Sequence, residues 1–286
     1  MTKKLLYNAL SWVDALPMLR ELWREAFGDS DEFIDAFMGC FGGDDYLHTL
    51  SCDGRVVAAL YALPYGFSTG GEYHRLAYIY AVATRKEFRG QGVMRMLMGL
   101  VHDSLKQQGY AAAFLLPSSV ALANYYASMG YKPVAARRTE MLVASTPLSS
   151  GYSMCRSSAL TDEAYNFISR SMASRPCNVV HSRAALNMNV ASCCLSGGAL
   201  YVVTKDDEIV GATFLSLCEE GPLLLDIFFG DKKVKDFIVA QLLKEYSLDN
   251  VPLLCTDNEK GDPFAMMLHF CDSVPANVNV QLMLDK

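Results

Sequence analysis

In the first half of the chain, apolar residues recur at helical spacing over Trp12 to Phe27 and again over Ser30 to Met38. Trp23 and Phe27 lie four apart, and Ser30 stands where an N-cap belongs. The period then drops to two. Tyr46 to Ser51 and Arg55 to Leu63 read as strands flanking Cys52-Asp53-Gly54, where Asp-Gly supplies the positive φ of a tight hairpin. Leu76 to Thr84 predicts a third strand. Val93 to Gln107 predicts a helix with Met94, Leu97, Val101 and Leu105 on one face. Ala111 to Leu116 reads as a buried strand, followed by a helix around Ala121 to Met129 that Gly130 ends.

The second half repeats this order without repeating its residues. Helical stretches at Thr161 to Met172 and Ser182 to Cys193 precede a hairpin of Ala199 to Lys205 and Ile209 to Ser216, turned at Asp206, Asp207 and Glu208. Pro222 to Phe229 then corresponds to Leu76 to Thr84, Lys232 to Tyr246 to the Val93 helix, and Val251 to Thr256 to the Ala111 strand. Phe264 to Phe270 takes the place of the short last helix. A connector rich in turn formers, Ser145 to Ser153, separates the halves. The expectation is an α+β (α/β) chain of two tandem domains, 1–145 and 154–286, each with a mixed sheet flanked by helices.

Composition narrows the class. Of 286 residues, 51% are hydrophobic and 20% charged, which excludes a disordered chain. The longest apolar runs, Val56 to Leu63 and Ala111 to Pro117, fall short of the ~20 residues of a membrane helix. The start around Lys3 and Lys4 lacks a signal peptide's apolar stretch, so a soluble, cytoplasmic protein away from membranes is expected. A net charge of −6 argues against a sequence-independent nucleic-acid binder, which needs a basic face. Residues 1–145 carry equal numbers of basic and acidic side chains, so the acidic excess lies wholly beyond them. Against that neutral background, Arg85, Lys86, Arg89 and Arg95 crowd together with only Glu87 opposing them. Nine cysteines show no two-residue spacing, which excludes zinc ribbons and dithiol redox motifs. Most sit beside apolar residues, as Cys218 does, and reduced core thiols are expected. Five scattered histidines predict no metal site.

The chemistry concentrates between Tyr78 and Leu97. A strand ending in Val82-Ala83-Thr84 runs through Arg85 to Phe88 into Arg89-Gly90-Gln91-Gly92-Val93-Met94 and then a helix. A strand feeding a glycine turn at a helix start points several unpaired backbone N–H groups into one concavity, where the helix dipole adds positive charge. Such a place suits phosphate. Gly90 and Gly92 allow close approach, and Arg89 and Arg95 can add charge-assisted bonds. The turn lacks Gly-Lys-Ser/Thr, so it is not a nucleoside-triphosphate loop, and it does not follow the first strand of a dinucleotide-binding unit.

These residues resemble the pyrophosphate loop of the GNAT superfamily of N-acetyltransferases, Arg/Gln-x-x-Gly-x-Gly/Ala after a Val-x-Val strand. Met94 stands in place of the last small residue. Tyr126-Ala127-Ser128-Met129-Gly130-Tyr131 resembles the family's Tyr-x-x-x-Gly-Phe/Tyr helix, with Ser119 where an Asn is usual. The likeness covers residues 5–140. A complete unit followed by a degenerate one is similar to the enhanced-intracellular-survival type. The second unit has Phe228-Phe229-Gly230-Asp231-Lys232-Lys233-Val234 at the corresponding loop, with one glycine and an acidic Asp231, and is not expected to bind coenzyme A.

The resemblance implies acetyl-CoA as cosubstrate, no metal, and an amine acceptor, small molecule or peptide, that attacks directly. Backbone groups of Val82, Ala83 and Thr84 would meet the pantetheine arm and polarise the thioester, and residues from Arg89 and Gly90 through Gln91, Gly92, Val93 and Met94 to Arg95 would hold the pyrophosphate. Tyr126 would protonate the departing thiolate. Strand alternation puts Leu76, Tyr78, Tyr80, Val82 and Thr84 on one face and supplies no carboxylate there. The general base is therefore sought in Glu72, His74, Asp44, Asp45, the terminal carboxylate of Lys286, or water. Alternative readings are a non-catalytic acyl-CoA-binding or partner-binding module, and an acidic second unit that docks a cationic acceptor. The sequence leaves homo-oligomerisation open.

Overall fold

A computed structural model describes residues 4–69, 72–143, 151–257, 261–276, 278–281 and 284. The first repeat runs β1 (Leu6–Tyr7), α1 (Trp12–Phe27), α2 (Asp31–Phe41), β2 (Leu47–Cys52), β3 (Arg55–Thr69), β4 (Glu72–Thr84), α3 (Val93–Gln107), β5 (Ala112–Leu115), α4 (Val120–Ala127) and β6 (Lys132–Leu142). The second runs β7 (Ser153–Ser157), α5 (Asp162–Ser174), β8 (Val179–His181), α6 (Arg183–Leu195), β9 (Ala199–Lys205), β10 (Glu208–Cys218), β11 (Gly221–Phe229), α7 (Lys232–Tyr246), β12 (Val251–Asp257) and β13 (Asp262–His269). Most of the connector at 145–153 lies outside the described residues.

Local chemistry sets these elements. Ser11 and Ser30 cap α1 and α2 by accepting from Asp14 N and Phe33 N, and Gly28 closes α1 at φ +69°. Asp53 at φ +50° and Gly54 at φ +75° form the primed turn that returns β2 into β3. Asp206 and Asp207, at +49° and +64°, do the same for β9 and β10.

Two compact units result, and they are not the linear halves. The first comprises residues 1–66, 73–133 and 265–275; the second 67–72, 134–264 and 276–286. Strand β6, expected from neither period nor turn signals, belongs to the second unit and pairs antiparallel with β12 from Val251↔Leu142 to Asp257↔Ala136. The segment around Phe264 to Phe270, read as standing in for a helix, is strand β13. It pairs antiparallel with β5, from Met266↔Leu115 to His269↔Ala112, and completes the first unit. The two repeats therefore exchange their last strands. Each exchanged strand finds its ladder partner more than a hundred residues away, so no local pattern announces it.

In the first unit the strand order is β1-β2-β3-β4-β5-β13. One face of this sheet packs Leu60, Ala62, Ala77, Ile79, Ala113 and Leu115 against Leu97, Met98 and Val101 of α3. Burying each of those α3 side chains contributes about 1.5–3 kcal/mol. The other face carries aromatic residues: Phe37 of α2 lies 4.9 Å from the Tyr61 ring and 5.3 Å from Tyr80, with Trp23 of α1 4.8 Å from Phe37. Trp23, Phe33 and Phe37 are core, and Phe27 is half-exposed. The second unit orders its strands β6-β12-β11-β10-β9-β7, with α7 on one face and α5 and α6 on the other. Of the nine cysteines, all free, only Cys52 and Cys193 are buried; Cys155, Cys218 and Cys271 are exposed. The expectation of core thiols fails for most, because proximity in sequence to apolar strand residues does not fix which face or end a thiol occupies.

Candidate active site

Strand β4 pairs in parallel with β5 at Leu76↔Ala112, Ala77↔Ala113 and Tyr78↔Phe114, and the register ends there. Three residues later Ala81 sits at φ +50°, a left-handed residue in mid-strand that marks a bulge. The bulge resets the alternation. Val82 packs on the same core as Ala77 and Ile79, not on the face of Tyr78 and Tyr80 as strict alternation requires. From the bulge to Thr84 the strand runs on past the end of β5, leaving a notch between them.

The loop after β4 is anchored from below. Arg85, one of the clustered cations, is buried at 1% exposure. Its guanidinium donates to the Val56 carbonyl at 2.8 Å, the Met18 carbonyl at 3.3 Å and Glu21 Oε2 at 2.8 Å. That pairing holds the Glu21 carboxyl below its ordinary range. Phe88 drops into the core. Arg89 folds back, its Nε–H donating to the Thr84 carbonyl at 2.8 Å, and Gln91 donates to the Glu87 carbonyl at 2.7 Å.

Gly90 at φ +72° and Gly92 at φ +76° then turn the chain into α3. A Cβ at either would meet nothing within 4 Å, so open space lies over both. Gly92 is the N-cap residue; its carbonyl accepts from Met96 N at 3.0 Å, and no side chain caps the helix. The first-turn N–H groups, from Val93, Met94 and Arg95, therefore lack the partner a cap would give. The other six α-helices among the described residues are capped by Ser11, Ser30, Ser119, Thr161, Ser182 and Asp231. Ser119, at the position of the usual Asn, is thus a cap accepting from Leu122 N at 3.2 Å. Met94 turns its side chain onto the core.

Arg95 was expected to face the phosphates. Instead it braces the end of α4, donating to the Ser128 hydroxyl at 2.5 Å and carbonyl at 3.3 Å, 5.5 Å above the Tyr125 ring. Tyr126, at 6% exposure, belongs to the same core cluster as Ile79 and Val93, with Val82 packed against it. Burial pushes its phenol up to about 12. Sequence reasoning missed His102, which exchanges a 2.8 Å hydrogen bond with the Tyr131 hydroxyl and so fixes the chain just after α4. A buried polar residue on an otherwise apolar helix face was the available signal.

Two of the base candidates lie far from the notch. His74 lies six residues before Tyr80 on an extended strand, roughly 20 Å away, and Glu72 lies beyond it. Asp44 is engaged at the start of α1, accepting from Trp12 N at 2.8 Å, and Asp45 is exposed in the neighbouring turn. Lys286 lies outside the described residues. No group of three or more metal-ligating side chains occurs among the described residues, and no helix among them is long and apolar enough to cross a membrane.

Residues 14–134 match the family model of an acetyltransferase (GNAT) domain. The matched residues make up most of the first unit, which is similar to a GNAT domain. No curated protein matches the chain in sequence. Among solved structures, a GCN5-related N-acetyltransferase from Anabaena variabilis superposes with a TM-score of 0.75 at 13% identity, over 92% of this chain and 72% of that one. Eis1 from Mycobacterium abscessus superposes at 0.64 and 12% identity, over 87% of this chain and 65% of Eis1, so this chain spans less than two thirds of it. A tandem GNAT protein from the clavulanic acid biosynthesis pathway gives 0.52 at 13% identity, over 94% of this chain and all of that one. At such identities the likeness is one of fold, and the fold is that of tandem GNAT proteins.

The second GNAT-like unit lacks the open turn. Asp231 caps α7 with its own carboxylate, accepting from Lys233 N at 3.0 Å. The helix terminus that would receive an anion already holds one.

Proposed function

We propose that the GNAT domain of the first unit is an acetyl-CoA dependent N-acetyltransferase. The observation that carries this reading is the helix N-terminus at Gly92, left open beside a strand that leaves its partner at a bulge. Main-chain N–H groups of Val93, Met94 and Arg95 hold the diphosphate, with Gly90 and Gly92 admitting its oxygens. Charge on Arg89 and Arg95 contributes less than their number suggests, since both already serve the protein's own carbonyls. The amide-bearing arm lies along the notch, and N–H groups past Ala81 face the thioester carbonyl as it becomes an oxyanion.

The acceptor's nitrogen attacks the carbonyl carbon, the C–S bond breaks, and the amine's proton leaves through water, because β4 carries no carboxylate between Leu76 and Thr84. Tyr126, protonated at every physiological pH, donates to the departing sulfur. No cysteine nucleophile is needed. The acceptor is a small-molecule or peptide amine.

The missing carboxylate also favours a second reading, a module that binds acyl-CoA without turnover. Calorimetry with acetyl-CoA, followed by thiol release with a panel of amines, separates them. We expect one site per chain and amine-dependent release; binding without release selects the second reading, and no binding overturns both.

A further inference from the structure

In the second unit, β11 and β12 meet in parallel only at Leu224↔Leu253. The β10–β11 register slips between Phe214↔Asp226 and Leu215↔Leu224, which leaves Leu225 as the extra residue of a bulge. This is the arrangement of the first unit's notch, a strand bulged where it parts from its parallel neighbour, and a bulge takes main-chain groups out of the ladder. Such a carbonyl needs a donor from elsewhere.

Gln281 supplies it. Its side-chain Nε2 donates to the Leu225 carbonyl at 3.3 Å and to the Leu254 carbonyl at 2.8 Å, one on each of the parting strands. The preceding residues are held as firmly. Val278 N donates to the Val134 carbonyl at 3.2 Å, Asn279 N to the Cys177 carbonyl at 2.6 Å, and the Asn279 carbonyl accepts from Val179 N at 2.8 Å. The Asn279 side chain pairs with the Thr256 hydroxyl, and Val278 and Val280 are fully buried.

We infer that the gap between β11 and β12 is a peptide-binding site filled by this chain's own Gln281, anchored through Val278 and Asn279 on β6, β8 and β12, with the Gln281 carboxamide occupying the place of a pantetheine amide. The comparison with pantetheine rests on the function proposed for the first unit; the peptide site itself does not. A primary amide presents the same N–H donor as an amide-bearing arm, and Val278 and Val280, on either side of Asn279, are fully buried. Together with Asp231 at α7, this closes both halves of a cofactor site in the second unit, the anion seat and the arm's notch, with residues of the chain itself. The degenerate unit has kept the fold's binding geometry and changed its ligand.

Hydrogen–deuterium exchange on the full chain tests this. Gln281→Glu keeps the shape and sets a carboxylate against two carbonyls, so peptides covering residues 278–281 should exchange about 10-fold faster or more, while those over residues 93–98 are unchanged. An acceleration below about threefold in the folded variant overturns the proposal. Should the variant fail to fold, the unaltered protein decides: with saturating acetyl-CoA, protection confined to the first unit supports the inference, and new protection at residues 224–228 and 253–256 overturns it. If acetyl-CoA does not bind at all, the function proposed above fails, and the peptide site is judged by whether residues 278–281 in the unaltered protein exchange as slowly as the strands around them.

Discussion

Replacing Gly92 by Asp, with Gly92→Asn as its partner, tests the anion seat directly. Both side chains have the same shape and meet the same left-handed φ of +76°, a conformation that Asn and Asp tolerate better than other non-glycine residues. Neither introduces a clash, because a Cβ there finds nothing within 4 Å. Their difference is therefore one negative charge placed at the open end of α3. At about 5 Å from one phosphate charge, with an effective dielectric near 20, the repulsion is about 3 kcal/mol, and a diphosphate carries more than one charge. Acetyl-CoA should bind Gly92→Asp at least about 100-fold more weakly than Gly92→Asn in calorimetry at low salt, with the gap narrowing as salt is raised. Equal affinities, within about threefold, would remove the diphosphate from this helix end and with it the proposed site.

Tyr126→Phe should lower kcat by about 100-fold with little change in KM, and the parent enzyme should show no alkaline limb from this phenol below about pH 11, since burial holds it near 12; unaltered turnover would exclude Tyr126 from thiolate protonation. Burial lowers both His48 and His102 to about 4, whereas the unfolded chain takes up those protons near 6.5. Their contribution, up to about 3 kcal/mol each, is complete above pH 6.5 and is lost as pH falls towards 4, so urea midpoints should decline across that window and His102→Gln should flatten the decline. Asp226 is buried, with Arg175 at 2.6 Å and Ile227 N at 2.7 Å on its carboxylate, and burial raises its carboxyl above the ordinary range. Arg175→Met leaves that charge unpaired and should cost about 3–5 kcal/mol in chemical denaturation, with Asp226→Asn restoring part of it; an additive double variant would show that the two side chains do not act as a pair.

Much of this molecule is local, and what is local could be read from the chain. The helices begin where Ser11, Ser30, Ser119, Thr161, Ser182 and Asp231 can cap them, the hairpins turn where aspartate and glycine tolerate positive φ, and the Arg89 to Met94 turn shows its glycines. These features depend on a few consecutive residues, so periodicity and residue type suffice. Three things depended on contacts far apart in sequence. The exchange of β6 and β13 is set by ladder partners across the length of the chain, and β6 carries too many charges to announce itself as a strand. The bulge at Ala81 inverts the strand's facing, and alanine gives no sign of a left-handed φ. The roles of the cations were decided by what surrounds them: Arg85 is drawn inward by Glu21 and two carbonyls, Arg95 by Ser128, so a charge cluster that looks like a phosphate site is largely spent on the protein's own groups. Sequence specifies which groups are present; only the folded chain determines which of them are already satisfied, and a binding site is built from those that are not.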